Sequence, residues 1–112
     1  MSDCLFCAIA AGTIPAQVVR ATDDVVVFRD VNPQAPFHVL SVPRQHLVNA
    51  VELAAAPSLF AAVIDEGAAA AIADGCEAGY RIVFNTGAQA GQTVDHVHAH
   101  VLGGRRLNWP PG

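Results

Sequence analysis

Near the C-terminus, the run Asp95-His96-Val97-His98-Ala99-His100-Val101-Leu102 sets three of the five histidines at alternate positions. Side chains two apart on a β-strand point to the same face. The pattern therefore predicts a row of His96, His98 and His100, with Val97, Ala99 and Val101 turned to a core. A helix would scatter the rings around its circumference. A strand spaces them by about 6–7 Å, a reach suited to one extended phosphate-containing substrate.

A chain of 112 residues, 53% hydrophobic and 14% charged, fits one globular domain over residues 1–112 with one modest core. The longest apolar stretch, Pro57 to Gly75, carries Asp65, Glu66 and Asp74 and does not suit a bilayer span. Met1-Ser2-Asp3-Cys4 lacks the basic residues and apolar run of a secretory signal, so a cytoplasmic location is expected. The formal charge is −4 and there is no lysine. The basic residues Arg20, Arg29, Arg44, Arg81, Arg105 and Arg106 are dispersed, with no stripe of the kind that grips a nucleic-acid backbone. A bound phosphate must then be held mostly by backbone N–H groups, hydroxyls and imidazoles. Three cysteines argue against a disulfide framework and toward free thiols or a metal.

Cys4 to Ala11, with Leu5, Phe6 and Ile9 at near-helical spacing before Gly12, predicts a short N-terminal helix with Cys4 and Cys7 on one face. Pro15 stops it, and Gln17 to Ala21 reads as a strand that pairs across Thr22-Asp23-Asp24 with the β-branched run from Val25 to Asp30. The prolines of Asn32-Pro33-Gln34-Ala35-Pro36 require a loop before a third strand, His38 to Pro43. A polar turn carrying Arg44 and His46 leads toward Val51. Pro57 to Asp74 predicts the long helix, with Phe60, Val63, Ile64 and Ala71 repeating at three and four and Gly75 at the C′ position. Tyr80 to Asn85 reads as a fourth strand, Thr86 to Asp95 as a glycine-containing loop, and the histidine run as the fifth strand, ended by Gly103-Gly104. This order predicts an α+β fold, a mainly antiparallel sheet of about five strands with the long helix on one face.

Three rings in a row overreach one tetrahedral ion, and no H-E-x-x-H helix accompanies them, so a zinc enzyme using all three is disfavoured. The loop Thr86-Gly87-Ala88-Gln89-Ala90-Gly91-Gln92-Thr93 is not a Walker A loop, but beside three histidines it can present N–H groups to an anion. Cys4-x-x-Cys7 has three readings, zinc, redox and nothing, and the redox reading wants a βαβ context that is absent. Cys76, at the end of the long helix, reads as an ordinary partly buried thiol.

With His96-Val97-His98-Ala99-His100-Val101-Leu102 in the form His-φ-His-φ-His-φ-φ, the chain resembles the histidine-triad (HIT) superfamily. The resemblance runs nearly end to end. It includes Leu5-Phe6-Cys7, Ile14-Pro15-Ala16, Phe28-Arg29-Asp30-Val31-Asn32-Pro33-Gln34-Ala35-Pro36, His38-Val39-Leu40, Val42-Pro43 and Gly91-Gln92-Thr93. The ending Gly103-Gly104-Arg105-Arg106 with Trp109-Pro110-Pro111-Gly112 is similar to the Hint branch, the nucleoside phosphoramidases.

The resemblance implies His98 as the nucleophile that forms a nucleotidyl-histidine, His100 at the phosphoryl or leaving group, and His38 and His96 completing the cluster. It implies Asp30 on the ribose hydroxyls, Leu5, Phe6, Ile9, Phe28 and Val31 around a purine base, and Asn85, Gly91, Gln92 and Thr93 at the phosphate. It also implies a structural zinc on Cys4, Cys7, His46 and His96, no cofactor for the chemistry itself, and a homodimer that extends the sheet and brings Trp109 to the partner's site. The implied activity is cleavage of a purine nucleoside monophosphate from an amine or acyl group. The alternatives are hydrolysis of dinucleoside polyphosphates, or a nucleotide-binding interaction module with vestigial activity. Two departures stand out. Asp95 occupies a usually apolar position, where it either raises the pKa of His96 or faces solvent, and Thr93 replaces the commoner serine.

Overall fold

The computed structural model describes residues 4–112. Among them, β1 (Val18–Ala21), β2 (Val25–Arg29), β3 (Phe37–Pro43), β4 (Tyr80–Val83) and β5 (Ala99–Gly103) form one sheet in the order β1-β2-β3-β5-β4. Every pair is antiparallel. The helices are α1 (Leu5–Ala10), α2 (Ala50–Ala54) and α3 (Pro57–Ala73), with a 3₁₀ turn at Ala88–Ala90. No helix of the described residues is long and apolar enough to cross a membrane.

The β-branched run of β2 feeds both faces of the sheet. Val25 and Val27 pack with Val39, Val63, Ala71 and Val101 into a core beneath α3, while Val26 and Phe28 join Phe6, Leu40 and Val42 in a second cluster on the opposite face. β3 lies between them with all seven residues buried. The predicted cap of α3 is present: Asp74 is the C-cap and Gly75 follows at φ +89°, a left-handed position that glycine adopts without strain. A Cβ on Gly67 would lie 3.0 Å from Val101 Cγ2 and 3.3 Å from Ser41 Cβ, so only glycine lets the helix seat this low on β3 and β5. The buried Ser41 hydroxyl donates to the Val63 carbonyl at 2.8 Å and ties sheet to helix from within. With α3 filling one face, chemistry is left to the other, which α1 covers at one end.

Three expectations require correction. The histidine strand begins at Ala99 rather than His96, since the β3–β5 ladder ends at Ser41 opposite Ala99. Upstream of that point the chain finds other partners: Val97 N–H donates to the Leu47 carbonyl at 2.7 Å and the His96 ring bonds the Pro43 carbonyl. Side chains still alternate, with Val97, Ala99 and Val101 in the core beneath α3. The polar turn after β3 is followed by α2, which begins at Ala50 and buries Leu53. The fourth strand, expected to reach Asn85, ends at Val83.

Candidate functional site

A cleft of about 960 Å³ opens on the sheet face opposite α3, bounded by α1, the loop after β2 and the loop before the histidine run. His38, His98 and His100 line it. One nitrogen of His98 has a fixed partner: Nδ1 lies 2.8 Å from the His96 main-chain oxygen. A carbonyl only accepts, so Nδ1 carries the proton and Nε2 keeps its lone pair. Phe6 holds the ring edge-on with centroids 4.9 Å apart, and His98 is buried.

His38 has the opposite arrangement. The Gln34 N–H donates to its Nδ1 at 3.0 Å, so the proton of neutral His38 resides on Nε2. That Nε2–H faces His100 Nδ1 at 3.0 Å and Asp30 Oδ2 at 3.4 Å. His100 therefore accepts at Nδ1 and carries its own proton on Nε2. Burial pushes the His38 pKa down, against the opposing charge of Asp30. Burial first, then the nearby His98 and His38, push His100 down to about 4. Both rings are thus neutral donors and acceptors at neutral pH. Asp30, His38 and His100 have the composition of a metal site, but a backbone donor on His38 Nδ1 leaves Nε2 with a proton and no lone pair for an ion.

His96 is fully buried and does not line the cleft; its ring nitrogens are engaged elsewhere. Its Nε2 donates to the Pro43 carbonyl at 2.8 Å, which turns the Nδ1 lone pair toward Cys4 Sγ at 3.3 Å and Cys7 Sγ at 3.4 Å. His46 Nδ1 is 3.3 Å from Cys7 Sγ, and all four donor atoms lie within 4.8 Å of one another. Tetrahedral zinc with two sulfur and two nitrogen ligands requires separations of roughly 3.3–3.8 Å, and a carbonyl behind the histidine is the usual support for such a ligand. These four residues can hold one zinc ion.

Leu5, Phe6, Ile9, Phe28 and Val31 all line the cleft, as do Asp30, Asn85, Gly91 and Thr93. Gly91 has φ +92°, a turn that favours glycine. Besides His96, two expected residues do not line it. The Gln92 amide is engaged within the fold, donating to the Val48 and Val94 carbonyls and accepting from Gly87 N–H, so its side chain braces the loop instead of facing a ligand. Trp109 is 81% exposed in the tail. Asp95 is exposed, and the His96 pKa is lowered, chiefly by burial. Sequence reasoning missed Leu40, Val94 and the Pro15–Gln17 segment as lining residues. Leu40 was within reach, because it stands two residues from His38 on one strand face.

The HIT domain family model matches residues 11–107. The chain is 45% identical to an uncharacterised HIT-like protein of Synechococcus elongatus, over 98% of this chain and 97% of that one. It is 39% identical to a 14 kDa zinc-binding protein of Zea mays, over 99% and 89%. Among solved structures, a HIT family hydrolase from Legionella pneumophila superposes with a TM-score of 0.93 at 44% identity, over 98% of this chain and all of that one. The strand order, the rings set around one cleft and the sequence relationship to these proteins agree, and the chain belongs to the HIT family.

Proposed function

We propose that this protein, as a member of the Hint branch, hydrolyses purine nucleoside monophosphates joined to an amine or acyl group, through a covalent nucleotide on His98. The tautomer of His98 carries this reading: its Nδ1–H is held by a carbonyl 2.8 Å away, which leaves Nε2 as a neutral nucleophile in the cleft. Nε2 forms a bond to phosphorus while the bond to the leaving group breaks, and the departing nitrogen, held by a hydrogen bond from His100 Nε2–H, takes a proton from a water molecule. The hydroxide so formed attacks the nucleotidyl-histidine, the P–N bond breaks, and His98 recovers its lone pair. Asp30 engages the ribose, the apolar wall from α1 and Phe28 takes the base, and Asn85, Gly91 and Thr93 receive the phosphate.

Cys4, Cys7, His46 and His96 would hold a zinc ion that, when bound, would cross-link chain segments, and thiolate ligands suit a reducing cytoplasm. A dinucleoside polyphosphate would present several more negative charges, whereas among the described residues Arg29 is the only arginine that lines the cleft. We further propose that the working unit is a dimer paired through β4, with Trp109 reaching the partner's cleft.

His98→Ala is expected to abolish turnover of an adenosine phosphoramidate while AMP still binds. Intact-mass analysis of the parent after brief substrate exposure is expected to find one nucleotidyl adduct, at His98. Parent-like turnover by the variant, or an adduct at another residue, sinks the reading.

A further inference from the structure

The proton on His100 Nε2 depends on His38, and the tautomer of His38 depends on one main-chain donor, the Gln34 N–H at 3.0 Å. Gln34 is exposed in the loop between β2 and β3, and its own side chain donates within that loop, to the Asn32 carbonyl at 3.0 Å. The bond that ties the Gln34 main chain to a distant part of the chain comes from beyond β5. Arg105 Nη2 donates to the Gln34 carbonyl at 3.0 Å, while Nη1 donates to the Arg106 carbonyl at 2.9 Å. The approach is built in one residue earlier. Gly104 has φ +86°, and a Cβ there would lie 3.0 Å from Pro36 Cβ and 3.4 Å from Phe37 N, so glycine lets the chain turn tightly against the loop and set Arg105 over it.

We infer that Arg105 is a positioning residue for the histidine pair: by bridging the Gln34 and Arg106 carbonyls it holds the Gln34 N–H on His38 Nδ1 and so keeps the exchangeable protons of His38 and His100 on Nε2. Without that hold, His38 carries its proton on Nδ1 in part of the molecules. Its Nε2 then accepts, His100 turns an Nδ1–H toward it, and His100 Nε2 has no proton for a leaving group. The planar fork of arginine spans two carbonyls. Lysine keeps the charge but lacks that fork.

The tautomer itself is independent of the proposed reaction, and only its kinetic consequence rests on that reading. The experiment uses the full chain labelled with ¹⁵N-histidine, without substrate, because ¹⁵N shifts report which ring nitrogen bears the proton. In Arg105→Ala the His38 shifts are expected to move from the Nε2–H pattern toward the average of the two tautomers, and in Arg105→Lys to return part of the way. For phosphoramidate turnover, kcat falls about tenfold in Arg105→Ala, the size of one lost hydrogen bond, and KM stays within about twofold because ground-state binding is untouched. An unchanged His38 pattern in Arg105→Ala overturns the inference. A parent that does not turn over phosphoramidates overturns the reaction assigned above, while the shifts still decide the role of Arg105.

Discussion

Each buried imidazole has one nitrogen bonded to a main-chain group, and the kind of group determines what the other nitrogen can do. A carbonyl leaves a lone pair, used as a candidate nucleophile in His98 and as a candidate metal ligand in His96. An N–H leaves a proton, which His38 hands toward His100. The neutral state that this arrangement needs has a thermodynamic signature. The His100 pKa is pushed down to about 4 from 6.5, and that of His38 is lowered as well. Between those values the unfolded chain binds protons that the folded chain refuses, so stability rises with pH in that window and falls as pH drops from about 6.5 toward 4. Urea midpoints measured across the window are expected to decline on acidification, and His100→Asn to flatten the slope while the carboxylates contribute equally to both proteins. An identical slope in that variant contradicts the neutral pair.

At the scale of elements, period-two alternation predicted which faces the histidines and valines take, but it could not say where the ladder begins, because that depends on a partner strand in register. β3 stops pairing with β5 at Ser41, so His96 and His98 lie outside the ladder although their side chains alternate as expected. α2 has a signal legible in the sequence, Asn49 three residues before Glu52: Asn49 accepts from Val51 and Glu52 N–H, and the Glu52 carboxylate returns to Val48 N–H, a close variant of the N-cap box. The role of Gln92 was not legible, because its three partners come together only in the folded loop. The metal residues were legible through the family resemblance, and their consequence lies in α1. A six-residue helix has little stability alone. Phe6 packing, Arg44 donating to the Ala10 carbonyl at 2.6 Å and the Cys4-Cys7-His46-His96 cluster dock it against the sheet. Elemental analysis after purification without chelator is expected to give one zinc per chain. Chelation then lowers the melting midpoint by roughly 10 °C, about 2 kcal/mol for a domain of this size. Protein that carries no zinc defeats this prediction.

At the scale of the whole molecule, the two edges of the sheet differ. The register of β1 with β2 shifts between Val18 and Arg20, an irregularity that blunts an edge, whereas β4 pairs with β5 in unbroken register and contains no proline. The tail is anchored on that same strand, since Arg81 of β4 donates to the Asn108 carbonyl at 2.8 Å, and exposed Trp109 comes next. The proposed pairing through β4 would carry each tail toward the other chain, where its indole would wall the leaving-group end of the partner's cleft. Sedimentation is expected to give the mass of two chains. A sharper test mixes two defective proteins, His98→Ala and Trp109→Ala, under conditions that exchange subunits. In a mixed dimer, the cleft that keeps His98 receives the intact Trp109 of the other chain. If the tail acts across the dimer, mixing raises activity above the average of the two parents. If the tail acts on its own cleft, each site in the mixed dimer keeps the defect it had before, and activity stays at that average. A monomer by sedimentation, or the plain average on mixing, removes the shared site.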